Sequence, residues 1–158
     1  MKEINVREIR IADYIDIYLL NEELGYLYAI EKVKERIKYI TENTKDIILV
    51  AEQFDEVIGY IHGSSYELLY SDSLINILGF VVKEKYSNTG VGKILIENLE
   101  CWAKENGYCG VRLVSGFDRI NAHKFYQRHG YTDRKDQKNF IKIFDWVWVN
   151  NKVTKELK

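Results

Sequence analysis

The sequence predicts a mixed α/β fold: a twisted mixed sheet of about six to seven strands with about four helices on its faces. Three observations point there. Helical and strand-type hydrophobic periods alternate along the chain in the order β-α-α-β-β-β-α-β-α-β-β. A chain of 158 residues with 46% apolar and 13% aromatic content can bury one sizeable core and lies far from the composition of a disordered chain. No repeat, low-complexity run or linker interrupts it, so residues 1–149 read as a single domain and 150–158 as a polar, fraying tail.

The first strand spans Glu3 to Ile9, with Ile4, Val6 and Ile9 as its apolar positions. Asp13 is placed to cap the helix that follows, and Asp16 complements the positive helix end. Ile15, Leu19 and Leu20 share a face of that helix before Gly25 stops it. A second helix sets the stripe Ile30, Val33, Ile37 and Ile40 against the charged Glu31, Lys34, Glu35 and Lys38. Ile47 to Glu52 is a strand-type apolar run, and Asp55-Glu56 turns the chain into the next one, Val57 to Tyr66. A further strand, Leu74 to Lys83, is dense in β-branched and aromatic residues. Helical spacing returns from Gly90 to Glu105, where Val91, Ile94, Leu95, Leu99 and Trp102 line one side. Asn106-Gly107 ends it, and Val111 to Val114 is again strand. A short helix over Asn121 to Arg128 turns Ala122, Phe125 and Tyr126 inward ahead of Gly130, and the last strands are Tyr131 to Arg134 and Phe140 to Val149.

Composition excludes several classes of function. A formal net charge of −1 leaves no electrostatic footprint for nucleic acid or an anionic membrane. The N-terminal stretch holds no apolar signal core, and the longest apolar run, Ile77 to Val82, is far short of the roughly 20 residues of a membrane span. Cys101 and Cys109 match neither a metal set nor a disulfide framework. A soluble, reducing, cytoplasmic setting is expected, with no metal, nucleic-acid or membrane partner.

The segment that carries chemistry runs from Leu78 to Leu95. A buried strand enters a short polar loop, and Gly90 and Gly92 then open a long amphipathic helix. Such a junction gathers unpaired backbone N–H groups at the positive end of a helix dipole, which suits a phosphate or pyrophosphate. Glycines without a Cβ allow close approach. Two familiar phosphate loops are excluded by spacing. A Walker A loop would need glycine where Ser87 stands and Ser or Thr where Ile94 stands, and a dinucleotide fingerprint would need a third glycine. A glycine-softened helix start is the plainer alternative for this segment.

Ser87-Asn-Thr-Gly90-Val-Gly92 resembles the acetyl-coenzyme A loop of the GNAT N-acetyltransferase superfamily, whose pattern is Arg/Gln-x-x-Gly-x-Gly/Ala after a strand. Ser87 departs from that pattern, and Asn88 stands where many members have another glycine; the first change weakens side-chain contact with the phosphates. Downstream, Asn121-Ala-His-Lys-Phe-Tyr-Gln-Arg-His-Gly-Tyr131 is similar to the segment that supplies later coenzyme A contacts in the family. Glu22-Glu-Leu-Gly-Tyr26 and Arg112-x-x-x-Gly116 look like the start and the fifth strand of small bacterial members, so the resemblance spans residues 3–144.

The resemblance implies acetyl transfer from acetyl-coenzyme A to a primary amine of a small molecule or protein in a ternary complex. It assigns cofactor contacts to Phe80, Val81 and Val82, to the loop residues Ser87, Asn88, Thr89, Gly90, Val91, Gly92 and Lys93, and to Asn121 and Tyr126. The strand carrying Leu78 to Val82 splays from its neighbour in this family and offers free backbone N–H groups. Tyr126 matches the tyrosine that protonates the leaving thiolate, and a phenol with a reference pKa near 10 holds its proton at neutral pH. A core tyrosine and a helix N-cap are the structural alternatives for Tyr126 and Asn121.

No base is evident. Many members place Glu on the strand before the loop, but Asn76 occupies that region. His62, Glu67, Glu22 and Glu23 are candidates, beside a water chain. Family resemblance puts the acceptor pocket among the first two helices, the strand reaching Tyr66 to Tyr70 and the last hairpin. Tyr26, Tyr28, Tyr66 and Tyr70 could wall it, with Glu22, Glu23 and Glu67 drawing in a cation; a solvated acidic edge is the plain alternative. Trp146 and Trp148 alternate with Val147 and Val149, an arrangement apolar on both faces that is compatible with a homodimer edge. A coenzyme A-binding regulatory module without turnover is the rival from another class.

Overall fold

The computed structural model describes residues 3–144. Within them, five strands form one sheet in chain order: β1 (Asn5–Glu8), β2 (Ile47–Gln53), β3 (Glu56–Leu68), β4 (Ser71–Val82) and β5 (Val111–Arg112). The first four pair antiparallel and β5 joins β4 in parallel. The helices are α1 (Tyr14–Glu23), α2 (Ile30–Asn43), α3 (Val91–Glu105) and α4 (Ile120–Arg128), with 3-10 turns at Ile11–Asp13 and Glu84–Tyr86. The mixed α/β architecture is therefore as expected, with fewer strands among the described residues.

Two cores lie on opposite faces of the sheet. Strand alternation sends Ile47, Leu49 and Ala51 of β2 and Ile61 of β3 toward α3, where Leu95, Ile96 and Leu99 meet them. Val50, Tyr60 and Val81 face the other way, onto Ile17 and Leu20 of α1 and Val33 and Ile37 of α2. Close approach of α3 depends on two missing side chains. A Cβ on Gly59 would stand 3.1 Å from Leu95 Cδ1, and one on Gly63 would stand 3.1 Å from Leu99 Cδ1 and 2.9 Å from Ile75 Cγ2. Those contacts set where the N-terminus of α3 falls relative to β4.

Between His62 and Gly63 the β3–β4 register shifts, and Leu78 is the extra residue on β4. Its effect is visible on both sides of the strand. Ile75 and Ile77 belong to the α3-side core before the bulge, whereas Phe80 and Val82 pack there after it, and Val81 lies in the opposite core. The backbone alternates with them. Ile75 N–H donates to the Gly110 carbonyl at 2.9 Å, toward β5, and Lys83 N–H donates to the Ile58 carbonyl at 2.8 Å, toward β3. Two-residue alternation back from Lys83 then turns the N–H groups of Phe80 and Val82 away from β3. β5 pairs with β4 only at Ile75 and Asn76, so the two strands part beyond Asn76.

Several elements differ from the sequence reading. Asp13 does not cap α1 through its side chain: it is 8% exposed, and its carboxylate takes both Arg7 guanidinium nitrogens at 2.9 Å and the Arg10 amide at 2.7 Å. Asp16 accepts from the Val57 amide at 3.1 Å, tying α1 to β3. On α1 the buried positions are Ile17 and Leu20, while Ile15 and Leu19 are about half exposed, because α2 and β3 cover a different stripe of the helix. β5 is two residues long, since it separates from β4 at once. Tyr131 to Arg134 and the described part of Phe140 to Val149 form no strand, and Phe140, Ile141, Ile143 and Phe144 are exposed. The expected apolar alternation at Trp146 to Val149, with its dimer edge, and the tail 150–158 lie outside the described residues. Among the described residues no helix is long and apolar enough to cross a membrane.

Arg7 joins β1, the start of α1 and β2, because it also donates to Glu52 at 3.0 Å. Burial pushes the Asp13 carboxyl up, but the bonds and charge from Arg7 and the Arg10 amide outweigh it and hold the group below the usual aspartate range. Replacing Arg7 by Leu strands a buried carboxylate and is expected to cost about 3 kcal/mol in urea unfolding. Since the native carboxyl is depressed, its contribution is complete above the ordinary aspartate range, about pH 4, and is lost as pH falls through the lower native value. Unfolding midpoints measured across acid pH should fall there in the wild type and flatten in Arg7→Leu.

Candidate active site

Between β4 and α3 the chain makes one 3-10 turn and then exposes its backbone. Tyr86 N–H returns to the Lys83 carbonyl and Ser87 N–H to that of Glu84. Thr89 Oγ1 donates to the Tyr86 carbonyl, which closes the loop over the turn. Asn88 sits at φ +60° and Gly90 at φ +93°, so left-handed residues flank Thr89. Gly90 is the N-cap of α3 and offers its carbonyl to the Ile94 amide at 3.1 Å. Residues 87–90 form a turn, and the amides of Val91, Gly92 and Lys93 precede the first bond of α3, from Ile94 N–H to Gly90. N–H groups at a positive helix end form an anion-binding arrangement.

The two glycines of the loop serve different purposes. A Cβ at Gly90 would meet nothing within 4 Å, so its requirement is the left-handed backbone and open approach. At Gly92 a Cβ would stand 3.3 Å from the Phe125 ring and 3.7 Å from that of Phe80, so this glycine lets α4 close on α3. Phe80 and Phe125 meet edge-to-face with ring centroids 5.7 Å apart.

That packing brings Tyr126 to the open edge of β4. Its ring centroid lies 6.4 Å from Phe80, 5.5 Å from Phe125 and 5.9 Å from Tyr131. The phenol has no hydrogen-bond partner among the described residues, in contrast to Tyr131, whose hydroxyl donates to Glu100 at 2.7 Å. Burial pushes the Tyr126 phenol up, opposed in part by the charge of Arg119, so it carries its proton at neutral pH. Asn121 lies inside the first turn of α4 with an exposed side chain, whereas the N-cap position is held by Arg119.

The remaining expected cofactor residues divide by face. Phe80 and Val82 border the parted edge, while Val81 buries its side chain under α1 and α2. Val91 is 1% exposed, which leaves only its amide available. Ser87, Asn88 and Thr89 are exposed, and Lys93 extends outward 4.0 Å from Glu97.

On the opposite face, α1, α2 and the sheet border an open cavity of about 190 Å³ whose polar lining is Asn21, Tyr28, Arg36, Tyr60 and His62. Tyr60 donates to Asn21 Oδ1 at 2.6 Å, and burial followed by the influence of Tyr26 pushes its phenol up to about 12. Of the tyrosines expected to wall an acceptor site, only Tyr28 lines this cavity. Tyr26 and Tyr70 are 64% and 85% exposed, and the Tyr66 ring is covered by the Arg112 guanidinium at 4.3 Å. The carboxylates are also occupied: Glu22 accepts from Tyr18, Glu23 from the Glu84 amide and Glu67 from Ser73. Asn76 accepts from Arg112 at 2.7 Å. Sequence reasoning missed Asn21, Arg36 and Tyr60. The alternation of Tyr60, His62 and Ser64 along β3 was the available signal for a polar stripe on that face.

The class is an α/β fold in which a parallel strand pair parts at β4 and a glycine-capped helix starts beyond its end. The model of the acetyltransferase (GNAT) family matches residues 11–131, and the chain belongs to that family. An uncharacterized N-acetyltransferase of Chlorobaculum tepidum is 29% identical over 128 residues, covering 81% of this chain and 75% of the relative. The structure of AAC(6')-Iy in complex with the bisubstrate analog CoA-S-monomethyl-acetylneamine superposes with TM-score 0.79 at 15% identity, covering 90% of this chain and 100% of that one. Glucosamine-6-phosphate N-acetyltransferase from Arabidopsis thaliana gives 0.76 at 19% identity, covering 91% and 100%. The protein is thus an acyltransferase that uses a coenzyme A thioester as cosubstrate.

At the start of α3, Gly90 holds a left-handed backbone and leaves the approach to the helix amides open. Alanine at position 90 would have to hold a left-handed backbone, at about 1–2 kcal/mol. Gly90→Ala is expected to raise the Kd for coenzyme A roughly tenfold in calorimetry, the equivalent of about 1.4 kcal/mol.

Proposed function

We propose that the protein transfers the acetyl group of acetyl-coenzyme A to a primary amine of a small molecule or protein, by direct attack within a ternary complex. The observation that carries this reading is the unpartnered Tyr126 phenol standing against Phe80 at the edge where β4 leaves β5. The amides of Asn88 to Lys93 hold the pyrophosphate, and Phe80 and Val82 with their free N–H groups flank the pantetheine arm and thioester. An N–H directed at the thioester oxygen stabilises the negative charge that develops as the amine attacks. As the carbon–sulfur bond breaks, Tyr126 donates its proton to the departing thiolate. Burial of the phenol keeps that proton in place until a stronger base forms beside it.

Support for an amine acceptor comes from the family and from the relatives named above, whose names specify aminoglycoside-type and amino-sugar acetylation for those proteins. The rival reading is a coenzyme A-binding module without turnover, favoured by Asn76, which is bonded to Arg112 where many members carry a base. A free phenol at the reacting edge speaks for turnover, since binding alone makes no use of it.

Release of free thiol from acetyl-coenzyme A should accompany at least one of spermidine, kanamycin, glucosamine-6-phosphate and a lysine peptide. Binding of the thioester with no release on any of them would support the rival. Tyr126→Phe should lower kcat by about 10²–10⁴ while leaving the Kd of acetyl-coenzyme A unchanged. A kcat equal to the wild type would remove the phenol from the reaction.

A further inference from the structure

The geometry points to His62, oriented by Asp46, as the group that takes the proton from the acceptor amine; this rests on the acetyl-transfer reading above. His62 lies on β3 opposite Gly79 of β4, next to the residues that border the thioester edge. Its ring lines the cavity under α1 and α2. His62 Nε2 is 2.8 Å from Asp46 Oδ2, and the other carboxylate oxygen accepts from Ser64 Oγ at 2.8 Å. Both side chains of the pair are about 15% exposed. Asp46 precedes β2 and is held from two sides, so it fixes the ring rather than following it.

The hydrogen bond decides which nitrogen works. A carboxylate accepts, so Nε2 carries the hydrogen and Nδ1 keeps its lone pair. No other basic side chain faces this cavity without a fixed positive charge: its remaining ionisable groups are Tyr28 before α2, Arg36 on α2 and Tyr60 on β3. Tyr60 is bonded to Asn21 and pushed up to about 12, which makes it a donor at neutral pH. Gly79 lets the Tyr60 ring and the base of His62 lie directly against β4. A Cβ there would press within 3.3 Å of the Tyr60 ring and 3.9 Å of His62 Cβ.

The proton account closes. An alkyl ammonium gives one proton to His62 Nδ1 and becomes a nucleophile, and His62 later passes that proton to water. The nitrogen attacks the thioester carbon, the carbon–nitrogen bond forms and the carbon–sulfur bond breaks. Tyr126 protonates the thiolate, and the second nitrogen proton restores the phenol. One ammonium and one thioester yield one amide, one thiol and one proton released to solvent. Asp46 is a positioning residue, since it touches neither reactant.

The test compares two kinds of acceptor in the full chain: a basic alkyl amine, chosen as the best of the four compounds above, and hydroxylamine, whose nitrogen is uncharged at neutral pH and whose uncatalysed attack on the thioester is subtracted. His62→Gln can still donate to Asp46 but accepts no proton. It should lower kcat/KM for the alkyl amine by about 10²–10⁴, since only the small fraction already present as free amine can then react. Transfer to hydroxylamine and the Kd of acetyl-coenzyme A should stay within a factor of about three, which an intact fold requires. Asp46→Asn, which leaves the ring less firmly held, should lower kcat/KM for the alkyl amine by a smaller factor and spare transfer to hydroxylamine. Equal losses on both acceptors, or an unchanged kcat/KM for the alkyl amine in His62→Gln, would overturn the assignment and leave acetyl transfer standing. No transfer to either acceptor by the wild type would instead overturn the acetyl-transfer reading and this assignment with it.

Discussion

One extra residue in β4 organises the reacting edge. Leu78 bulges where His62 faces Gly79, and from there the strand exchanges its two faces and its two edges. Without the bulge, the alternation that buries Ile75 and Ile77 under α3 would send Phe80 and Val82 toward α1 and α2. With it, both stay on the α3 side and their N–H groups turn from β3 to the side that β5 has left. Backbone amides at a strand edge normally find a neighbour. Here they are left over because β5 pairs for two residues and then departs.

The second requirement is the placement of α3. Its docking on β3 is set by Leu95 over Gly59 and Leu99 over Gly63, contacts that larger residues would forbid. A helix fixed this closely brings its N-terminal amides to a fixed point at the end of β4. Gly92 then admits Phe125, and α4 carries Tyr126 to the same edge. On the proposed reading, the donor side of the site is a consequence of packing on one sheet face, and its polar groups are main-chain amides and one phenol.

The two faces of the sheet have different chemistry. The α3 and α4 side is aromatic around Phe80, with an unpartnered hydroxyl at its border. The α1 and α2 side holds a cavity with Asn21, Tyr60 and the Asp46-held His62 in its lining or behind it. On the proposed reading, donor and acceptor approach β4 from opposite faces, and the groups that give and take protons are kept apart by the strand. Such separation avoids the direct neutralisation of an acid by a nearby base.

Much of this was legible in the chain. Strand and helix periods marked nine of the elements, and the Ser87 to Gly92 window with the Asn121 to Tyr131 segment marked the family. These features are local: a period, a glycine pair and a spacing are properties of adjacent residues. Elsewhere the sequence misled. Ile15 and Leu19 are as apolar as Ile17 and Leu20, and only the position of α2 and β3 chose between them. Tyr26, Tyr66 and Tyr70 have the composition of a pocket wall but stand in solvent or under Arg112. The Asp46–His62 pair, sixteen positions apart, and the Asn21–Tyr60 bond arise from strand register, which no local window contains. Composition and periodicity by themselves determined the fold class, and a glycine spacing marked the loop that resembles the family's, because both depend on short-range backbone preference. Which side chains share a cavity was decided only when distant strands came into register, because burial and hydrogen bonding act between residues that the chain keeps far apart.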